Sequence, residues 1–344
     1  MLSLRIRGLA LGAALSCLLL LTASRGMAKD ATLLNASYDV TRELYRDVNA
    51  AFIASWKKTS GATVTINQSH GGSSKQARAV IEGLQADVVT MNQTLDIDMI
   101  AEKGHLLPAD WASRLPNQSV PFTSTIIFLV RDGNPKKIRD WADLVRPGVV
   151  PIIPNPKTSG NGRYSYLAAW AHALRAGHGD EAAAADFVGK LFKAVPVLDT
   201  GGRGATTTFI ERGIGDVLLT FENEAYLAAG EASGSARRGR FAIVAPAVSI
   251  LAELPVAVVD RVAARNGNTE LATTYLRFLY SDEAQAIAAH HHLRPATPAA
   301  RARAAERFPA LELVTVAELG GWAALQRKHF VDGALFDQLY APWR

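Results

Sequence analysis

The sequence predicts an α/β protein built from two lobes that enclose a cleft. Short apolar segments alternate with segments of helical spacing, a pattern typical of a parallel sheet with helices on both faces. Several strand-to-helix turns are rich in Gly, Ser and Thr, and the clefts of such folds lie at the carboxyl ends of the strands. The length of 344 residues is enough for two domains.

Residues 1–28 predict a secretory signal peptide that is removed from the mature chain. Arg5 and Arg7 precede an apolar stretch at residues 9–21, and small residues follow it. The stretch is too short to span a bilayer comfortably. It contains Cys17, the only cysteine of the chain, whose place inside the apolar run argues against a lipoprotein. We therefore expect an exported protein without disulfides.

The charge of the chain indicates no nucleic-acid partner. The formal net charge is +5, and loss of Arg5, Arg7 and Arg25 with the leader lowers it by three to +2. The sequence shows no stripe of basic residues interleaved with aromatic residues. A nucleic-acid-binding function is therefore not expected.

The N-terminal part predicts strands that each lead into a helix. The predicted elements are, in order, a strand at 32–36, a helix from Thr41, a strand at 64–66, a helix after residues 68–74, a strand at 86–91 and a helix at 95–103. We expect the turn at 37–39 to cap the first helix. Ser73 and Gln76 fit a capping box at the start of the second.

Two extended segments predict the boundaries of the lobes. Residues 124–131 form an extended run that we interpret as the first crossing between lobes. The hydrophobic strand at 255–259 would be the return crossing. The first lobe is thus predicted to contain residues 29–123 plus 255–344, and the second lobe residues 124–254.

The second lobe repeats the strand, turn and helix order. The predicted elements are strands at 149–153, 195–198 and 216–220 and helices at 165–174 and 180–192. After the return crossing to the first lobe, helices are predicted at 270–280 and 282–289. Glycine-rich turns lie at residues 154–164 and 200–204. Thr208 and Glu211 fit the capping pattern of another helix start.

The four strand-to-helix turns predict an anion site. A turn that opens a helix presents backbone N–H groups without acceptors, with the positive end of the helix dipole behind them. Four such turns favour one small oxyanion held among them. Arg163 and Arg203 could bind the anion by charge, but we favour a role in bracing loop carbonyls. Glu222 and Glu224 would repel an anion, so we expect them to be turned away or paired.

Other chemistries have weaker support. Residues 290–292 are three adjacent histidines, which cannot all face one metal from a helix, so no metal is expected. A nucleotide-binding loop would need a different spacing around Lys75, and no cofactor is expected. A serine hydrolase could use Ser159, or Ser69 with His70, but the Gly-x-Ser-x-Gly elbow is missing. Enzyme activity is therefore not expected, and the hydrolase is a much less favoured alternative.

Four motifs resemble one known family. Residues 37–44, 68–76, 155–160 and 199–206 are similar to the periplasmic sulfate- and thiosulfate-binding proteins of bacterial ABC importers, and the match runs from about residue 33 to 330. The resemblance implies a type II periplasmic binding protein fold, whose two lobes close over one dehydrated dianion. It also implies a periplasmic location, and delivery of the anion to a membrane permease driven by a separate ATPase.

The resemblance also implies which groups hold the anion. Carried over by motif, the donors would be the hydroxyl of Ser159 and the backbone N–H groups of Asp39, Ser73, Gly160, Asn161 and Gly202. Asn161 and Gly162 replace residues that are often Gly and Ala in this family, a mild change because a backbone donor survives most substitutions.

One departure from the family pattern predicts the preferred ligand. Phe221 stands where the sulfate binders typically carry a tryptophan whose indole N–H is the last donor. A sulfate oxygen without that donor would forfeit about 1–3 kcal/mol, whereas the terminal sulfur of thiosulfate is a poorer acceptor. Residues 91–93 and 206–208 also resemble the thiosulfate-binding branch. We therefore predict thiosulfate, with sulfate as a second ligand; the alternative is another oxyanion such as molybdate.

Overall fold

The computed structural model describes residues 31–230 and 241–340. The predicted signal peptide at residues 1–28 lies outside this part of the chain. Within it, no helix is both long and apolar enough to cross a membrane.

The described chain alternates strands and helices. The strands are β1 (Ala31–Tyr38), β2 (Val64–Gly71), β3 (Val88–Thr90), β4 (Phe122–Ser124), β5 (Ile126–Arg131), β6 (Pro151–Ile152), β7 (Val217–Phe221), β8 (Phe241–Val244), β9 (Val248–Ile250), β10 (Ala252–Leu254), β11 (Val256–Val258), β12 (Arg294–Pro295) and β13 (Glu312–Val314). The α-helices are α1 (Arg42–Ser60), α2 (Ser73–Ile81), α3 (Thr94–Glu102), α4 (Gly160–Ala176), α5 (Glu181–Lys193), α6 (Gly202–Ile210), α7 (Glu222–Ala229), α8 (Asp260–Asn266), α9 (Thr269–Phe278), α10 (Asp282–His290), α11 (Pro298–Ala304), α12 (Trp322–Leu325) and α13 (Leu335–Tyr340). Shorter turns lie at Asp39–Thr41, Trp111–Arg114, Pro116–Ser119, Trp141–Val145, Ala305–Arg307 and Gln326–Phe330.

Two four-stranded sheets form the framework. The first has the order β11-β3-β1-β2, with β1 parallel to β2 and β3 and with β11 antiparallel at one edge. The second has the order β6-β7-β5-β8, in which β5 runs antiparallel to both neighbours. β5 follows β4 and β11 follows β10 directly, without the helical crossover that joins parallel neighbours, so both can pair in the antiparallel direction. The predicted α/β class is confirmed, but both sheets are mixed.

The chain passes between the sheets at a small three-stranded sheet, β10-β4-β12. The predicted extended run at 124–131 divides at Thr125 into β4 and β5. The return path runs through β10, which pairs with β4, into β11, which pairs with β3. Both passages therefore lie side by side. The exact lobe boundaries given above remain a prediction.

Three predicted elements of the second sheet need correction. Helix α4 begins at Gly160, earlier than the predicted residue 165, because Ser159 caps it: its Oγ accepts from the N–H of Gly162 at 3.3 Å. The predicted strand at 149–153 shortens to β6, whose Pro151 cannot donate to a ladder. Residues 195–198 form no strand, and the chain beyond them is fixed by a bond from the N–H of Asn155 to the carbonyl of Asp199 at 2.8 Å.

The predicted helix caps are wrong. Ser73 is the first residue of α2, and its Oγ accepts from the N–H of Asn92 at 3.3 Å, not from its own helix. The side chain of Gln76 reaches back to Ser69 at 3.0 Å. Thr208 lies near the end of α6, which starts at Gly202. No side chain caps the helix start after Tyr38 either. The N–H groups that these caps would have consumed are therefore left to other partners.

Candidate anion-binding site

Three of the glycine-rich turns meet at Gly72. A Cβ atom on this residue would lie 2.6 Å from the carbonyl oxygen of Thr158 and 2.8 Å from that of Thr200, so only glycine fits. The carbonyl of Thr200 also accepts from Thr158 Oγ1 at 3.0 Å. The start of α2 is thus packed against both turns of the second sheet. We call residues 155–161 the Lys157 turn and residues 199–203 the Arg203 turn.

The Asp39–Thr41 turn meets the Arg203 turn. The N–H of Arg203 donates to Asp39 Oδ2 at 3.1 Å, and Gly201 packs against the same carboxylate. A Cβ atom on Gly202 would lie 2.8 Å from Asn161 Nδ2 and 2.9 Å from Val40 Cγ1. Four separate turns therefore converge, and the two sheets contribute two each.

Three helices begin at this point. Their first helical bonds run from the N–H of Gln76 to the carbonyl of Gly72 (2.9 Å), from Arg163 to Ser159 (3.1 Å) and from Ala205 to Gly201 (3.2 Å). The N–H groups of Ser73, Gly160, Asn161 and Gly202 precede these bonds, so their own helices offer them no acceptor. The positive ends of three helix dipoles add to the same region. Because Ser159 Oγ accepts from Gly162, its hydroxyl hydrogen can still be donated.

The cationic side chains in and next to the two turns bond other groups of the protein. Lys157 Nζ donates to the carbonyl of Phe330 (3.1 Å) and to Asp337 Oδ2 (2.8 Å) in the C-terminal segment. Arg163 Nε donates to the carbonyl of Pro156 at 2.9 Å, which confirms the predicted bracing role. Arg203 braces carboxylates and not carbonyls, so the prediction is wrong for this residue: its two terminal nitrogens bond Glu43 at 3.0 and 2.9 Å.

The two buried glutamates are paired, as predicted. Glu224 is 1% exposed and lies 2.9 Å from Arg203 Nε. Burial raises the pKa of Glu224, and the charge of Arg203 opposes that rise. Glu222 accepts two bonds from Arg294, at 2.7 and 3.0 Å, and burial likewise raises its pKa against the pull of Arg294. Neither carboxylate is left unpaired to repel an anion.

The Arg203 pairings also shift the pKa values of the neighbouring groups. Burial alone would raise the pKa of Glu43, but its bonds to Arg203 outweigh this and the pKa is lowered. Burial raises the pKa of Asp39, and the N–H of Arg203 opposes it. Arg203 itself has a raised pKa, because its carboxylate partners outweigh the effect of burial. The guanidinium is therefore paired with carboxylates of the protein and is not free to pair with an anion.

Phe221 lies beside the convergence point at the end of β7. Its ring is fully buried, with ring centroids 6.0 Å from Tyr38 and 5.7 Å from Tyr164, both in edge geometry. Thr220, the preceding residue, accepts from Asn161 Nδ2 at 2.8 Å. All seven residues predicted for the site, Asp39, Ser73, Ser159, Gly160, Asn161, Gly202 and Phe221, thus belong to this one region.

The residues of the rejected chemistries are engaged elsewhere. His291 Nε2 bonds Asp47 at 2.8 Å, and His292 stacks on Tyr226 with ring centroids 4.0 Å apart. In the described ranges, no group of three or more His, Cys, Asp and Glu side chains could hold a metal. Ser69 bonds Gln76, and His70 bonds Gln68. Since Ser69 and His70 are successive residues of β2, their side chains point to opposite faces.

The sequence reasoning did not place Asn92 in this region. It follows the end of β3, which runs parallel to β1, and ligand-binding side chains are common at this position, so its location was the available signal. It also missed Glu43, whose role depends on a partner 160 residues away. No local pattern indicates that pairing.

Comparison with known proteins agrees with this geometry. The profile of the bacterial extracellular solute-binding protein family matches residues 33–294. The thiosulfate-binding protein of Pseudomonas aeruginosa is 56% identical over 90% of this chain and 92% of its own length. The sulfate-binding protein of Escherichia coli is 53% identical over 93% of this chain and 96% of its own length.

A solved structure extends the comparison to three dimensions. The sulfate-binding protein SubI of Mycobacterium tuberculosis superposes with a TM-score of 0.79 at 34% identity, over 88% of this chain and all of the SubI chain. The predicted periplasmic binding protein fold is thereby confirmed, and the family is one of solute-binding proteins and not of enzymes. The chain belongs to the bacterial extracellular solute-binding protein family.

Proposed function

We propose that this protein is a periplasmic receptor that binds thiosulfate, and sulfate as a second ligand, and delivers it to an ABC importer. The observation that carries the proposal is the meeting of three helix starts and the Asp39–Thr41 turn at one point, while Lys157, Arg163 and Arg203 are held by protein groups. A site made of neutral N–H and O–H donors fits a fully deprotonated dianion, because every outer atom of such an anion can accept a hydrogen bond. The names of the relatives support the same ligand class.

The binding energy would come from hydrogen bonds in a site closed to water. Each N–H contact is stronger in the low dielectric of a closed cleft than in solvent. Phosphate carries a proton at neutral pH, and a donor-only site leaves that O–H without an acceptor. We therefore expect phosphate to be rejected by roughly 10⁴-fold or more. Closure of the two lobes would also create the shape that the permease, with its separate ATPase, recognises.

The choice between the two sulfur anions depends on Phe221. The relatives do not decide it, because the thiosulfate-binding and sulfate-binding proteins are 56% and 53% identical to this chain. A phenylalanine ring offers no hydrogen to a fourth sulfate oxygen. Beside the larger and less basic terminal sulfur of thiosulfate, the same apolar ring costs less. Phe221 therefore favours thiosulfate.

Calorimetric titration of the mature protein tests both parts of the proposal. We expect binding of thiosulfate and sulfate and none of phosphate. Phe221→Trp should improve sulfate relative to thiosulfate by about fivefold to a hundredfold, the equivalent of one hydrogen bond of about 1–3 kcal/mol. A preference for molybdate would contradict the assigned ligand class. An unchanged sulfate-to-thiosulfate ratio in Phe221→Trp would contradict the role of Phe221 alone.

The periplasmic location and the lobe boundaries belong to the same proposal. Export with cleavage after residue 28 predicts that N-terminal sequencing of the secreted protein begins at Lys29. Residues 330–336 of the predicted first lobe already pack on Tyr166 and Phe192 of the second. Closure of the rest of residues 29–123 plus 255–344 onto residues 124–254 predicts a smaller radius of gyration by X-ray scattering when thiosulfate is added. An unchanged radius would contradict ligand-driven closure of these lobes.

A further inference from the structure

Asn92 lies between two of the proposed donors. Its backbone N–H donates to Ser73 Oγ at 3.3 Å, which holds it at the start of α2. Its carboxamide packs against Gly160 so closely that a Cβ atom there would overlap it. The backbone of Asn92 thus contacts the start of α2, and its side chain contacts the helix start of the Lys157 turn.

The side-chain oxygen of Asn92 is buried without a hydrogen bond in the described part of the chain. The residue is 2% exposed, and its Oδ1 has no hydrogen-bond partner in residues 31–230 and 241–340. Buried side-chain polar atoms in folded proteins are nearly always paired, so an unpaired one calls for an explanation. Asn161 shows the contrast: its Nδ2 donates to Thr220 at 2.8 Å and its Oδ1 accepts from Ser165 at 3.3 Å. Within the fold of the described residues, both polar atoms of the Asn161 carboxamide are paired, whereas the oxygen of the Asn92 carboxamide is not.

We propose that Asn92 is a further ligand-binding residue that donates a side-chain N–H to the bound anion, an inference that rests on the proposed function. A carboxamide can turn to present either its oxygen or its NH₂ group. Among backbone donors that face a dianion, the NH₂ group is the one that gains a partner. The side chain thereby adds one donor to the backbone N–H groups of the site.

Asn92→Ala and Asn92→Asp test this role by calorimetry with thiosulfate and with sulfate. We expect Asn92→Ala to weaken both anions by about tenfold to a hundredfold, the effect of losing a hydrogen bond to a charged group. Asn92→Asp keeps the shape but replaces the donor with a carboxylate, so it should weaken both anions further. It also serves as the isosteric variant if the alanine protein fails to fold.

Asn49 provides the matched control. It is a buried asparagine of α1 whose Nδ2 is also unpartnered in the described ranges, and its Oδ1 accepts from Tyr275 at 2.6 Å. We expect Asn49→Ala to lower the melting temperature and to leave both dissociation constants within twofold. Wild-type affinity in Asn92→Asp, or a change within twofold in Asn92→Ala, would overturn the inference while the proposed function stands. A wild-type protein that binds neither sulfur anion would overturn the proposed function itself.

Discussion

The Lys157 turn and the Arg203 turn both open a helix toward the same point, yet they are held by different means. Lys157 reaches outward to carbonyls and to the carboxylates of Asp332 and Asp337, which are themselves exposed or partly exposed. Arg203 reaches inward to Glu224, which is 1% exposed, and across to Glu43. One turn is anchored at the surface, and the other is anchored by a buried charge.

The anchor of the Lys157 turn is therefore local, whereas that of the Arg203 turn connects the two sheets. The partners of Lys157 lie in residues 330–337, which pack beside helix α4, the helix that follows its own turn. The Arg203 turn instead bonds Asp39 and Glu43, which follow β1 of the first sheet. The Lys157 turn should therefore be preformed, whereas the position of the Arg203 turn depends on the approach of the two sheets. The cost of breaking each anchor should follow the burial of its charges.

Removal of the Arg203 side chain should have the largest effect. Arg203→Met leaves Glu224 as a buried carboxylate without its cation, and loss of one partner of a buried pair costs about 3–5 kcal/mol. We expect a loss of this size in the free energy of unfolding measured with urea. The double variant Arg203→Met with Glu224→Gln should recover most of it, because the fully buried carboxylate is then removed and only the partly exposed Glu43 is left without its cation.

Arg212→Met is the control for this prediction. Arg212 is an exposed arginine just after α6, and its side chain makes one long contact of 3.3 Å with Thr208. Its replacement should change the free energy of unfolding by less than about 0.5 kcal/mol. A loss below 1 kcal/mol in the free energy of unfolding of Arg203→Met, or no recovery in the double variant, would contradict the prediction. It would show that Glu224 does not make the anchor of the Arg203 turn stronger than that of the Lys157 turn.

The comparison also shows what the sequence could predict. The turns themselves are visible, because Gly, Ser and Thr between an apolar strand and a helical pattern signal a helix start whatever surrounds it. The glutamates could be predicted as paired, since a buried carboxylate near an anion site requires a cation. The identity of the partner could not: Arg294 lies 72 residues from Glu222, and only the folded sheets bring them together.

The local errors have a common physical cause. Ser73 with Gln76 has the spacing of a capping box, but Asn92 competes for the serine oxygen and Ser69 for the glutamine. Tertiary partners therefore override a local pattern, and the N–H groups at the start of α2 are left without a cap. The predicted caps after Tyr38 and at Ser73 failed at helix starts that belong to the proposed site. A side-chain cap there would bond N–H groups that could otherwise be offered to a ligand.

Acidification should weaken the anchor of the Lys157 turn by an intermediate amount. His329 precedes Phe330 in the C-terminal segment, its Nδ1 is 2.9 Å from Tyr166 Oη, and burial lowers its pKa from 6.5 to about 4. As the pH falls, the unfolded chain protonates this histidine before the folded protein does. The contribution of the neutral, buried His329 to the free energy of unfolding is therefore complete above pH 6.5 and is lost as the pH falls toward 4. At pH 5 the loss should be about 2 kcal/mol.

Denaturation curves of wild type and His329→Gln at pH 7.5 and pH 5 check this expectation. The variant cannot take up the proton, so its stability should fall less between the two pH values, by about 2 kcal/mol. His290→Gln, at the exposed end of α10, is the control and should keep the wild-type pH dependence. Equal pH dependence in wild type and His329→Gln would show that the imidazole near the Lys157 turn is not the responsible group.

Removal of the Lys157 amino group should have the smallest effect. Lys157 is 23% exposed, Asp337 is 35% exposed and Asp332 is fully exposed, so solvent screens these pairs. We expect Lys157→Met to lower the free energy of unfolding by about 1 kcal/mol and to speed amide exchange at residues 158–162. Lys190→Met, which breaks an exposed pair with Asp186 at 2.6 Å, should cost about 0.3–0.5 kcal/mol and leave that exchange unchanged. A loss in Lys157→Met equal to that in Arg203→Met would contradict the distinction between the surface anchor and the buried one, since both turns would then depend on their cations to the same extent.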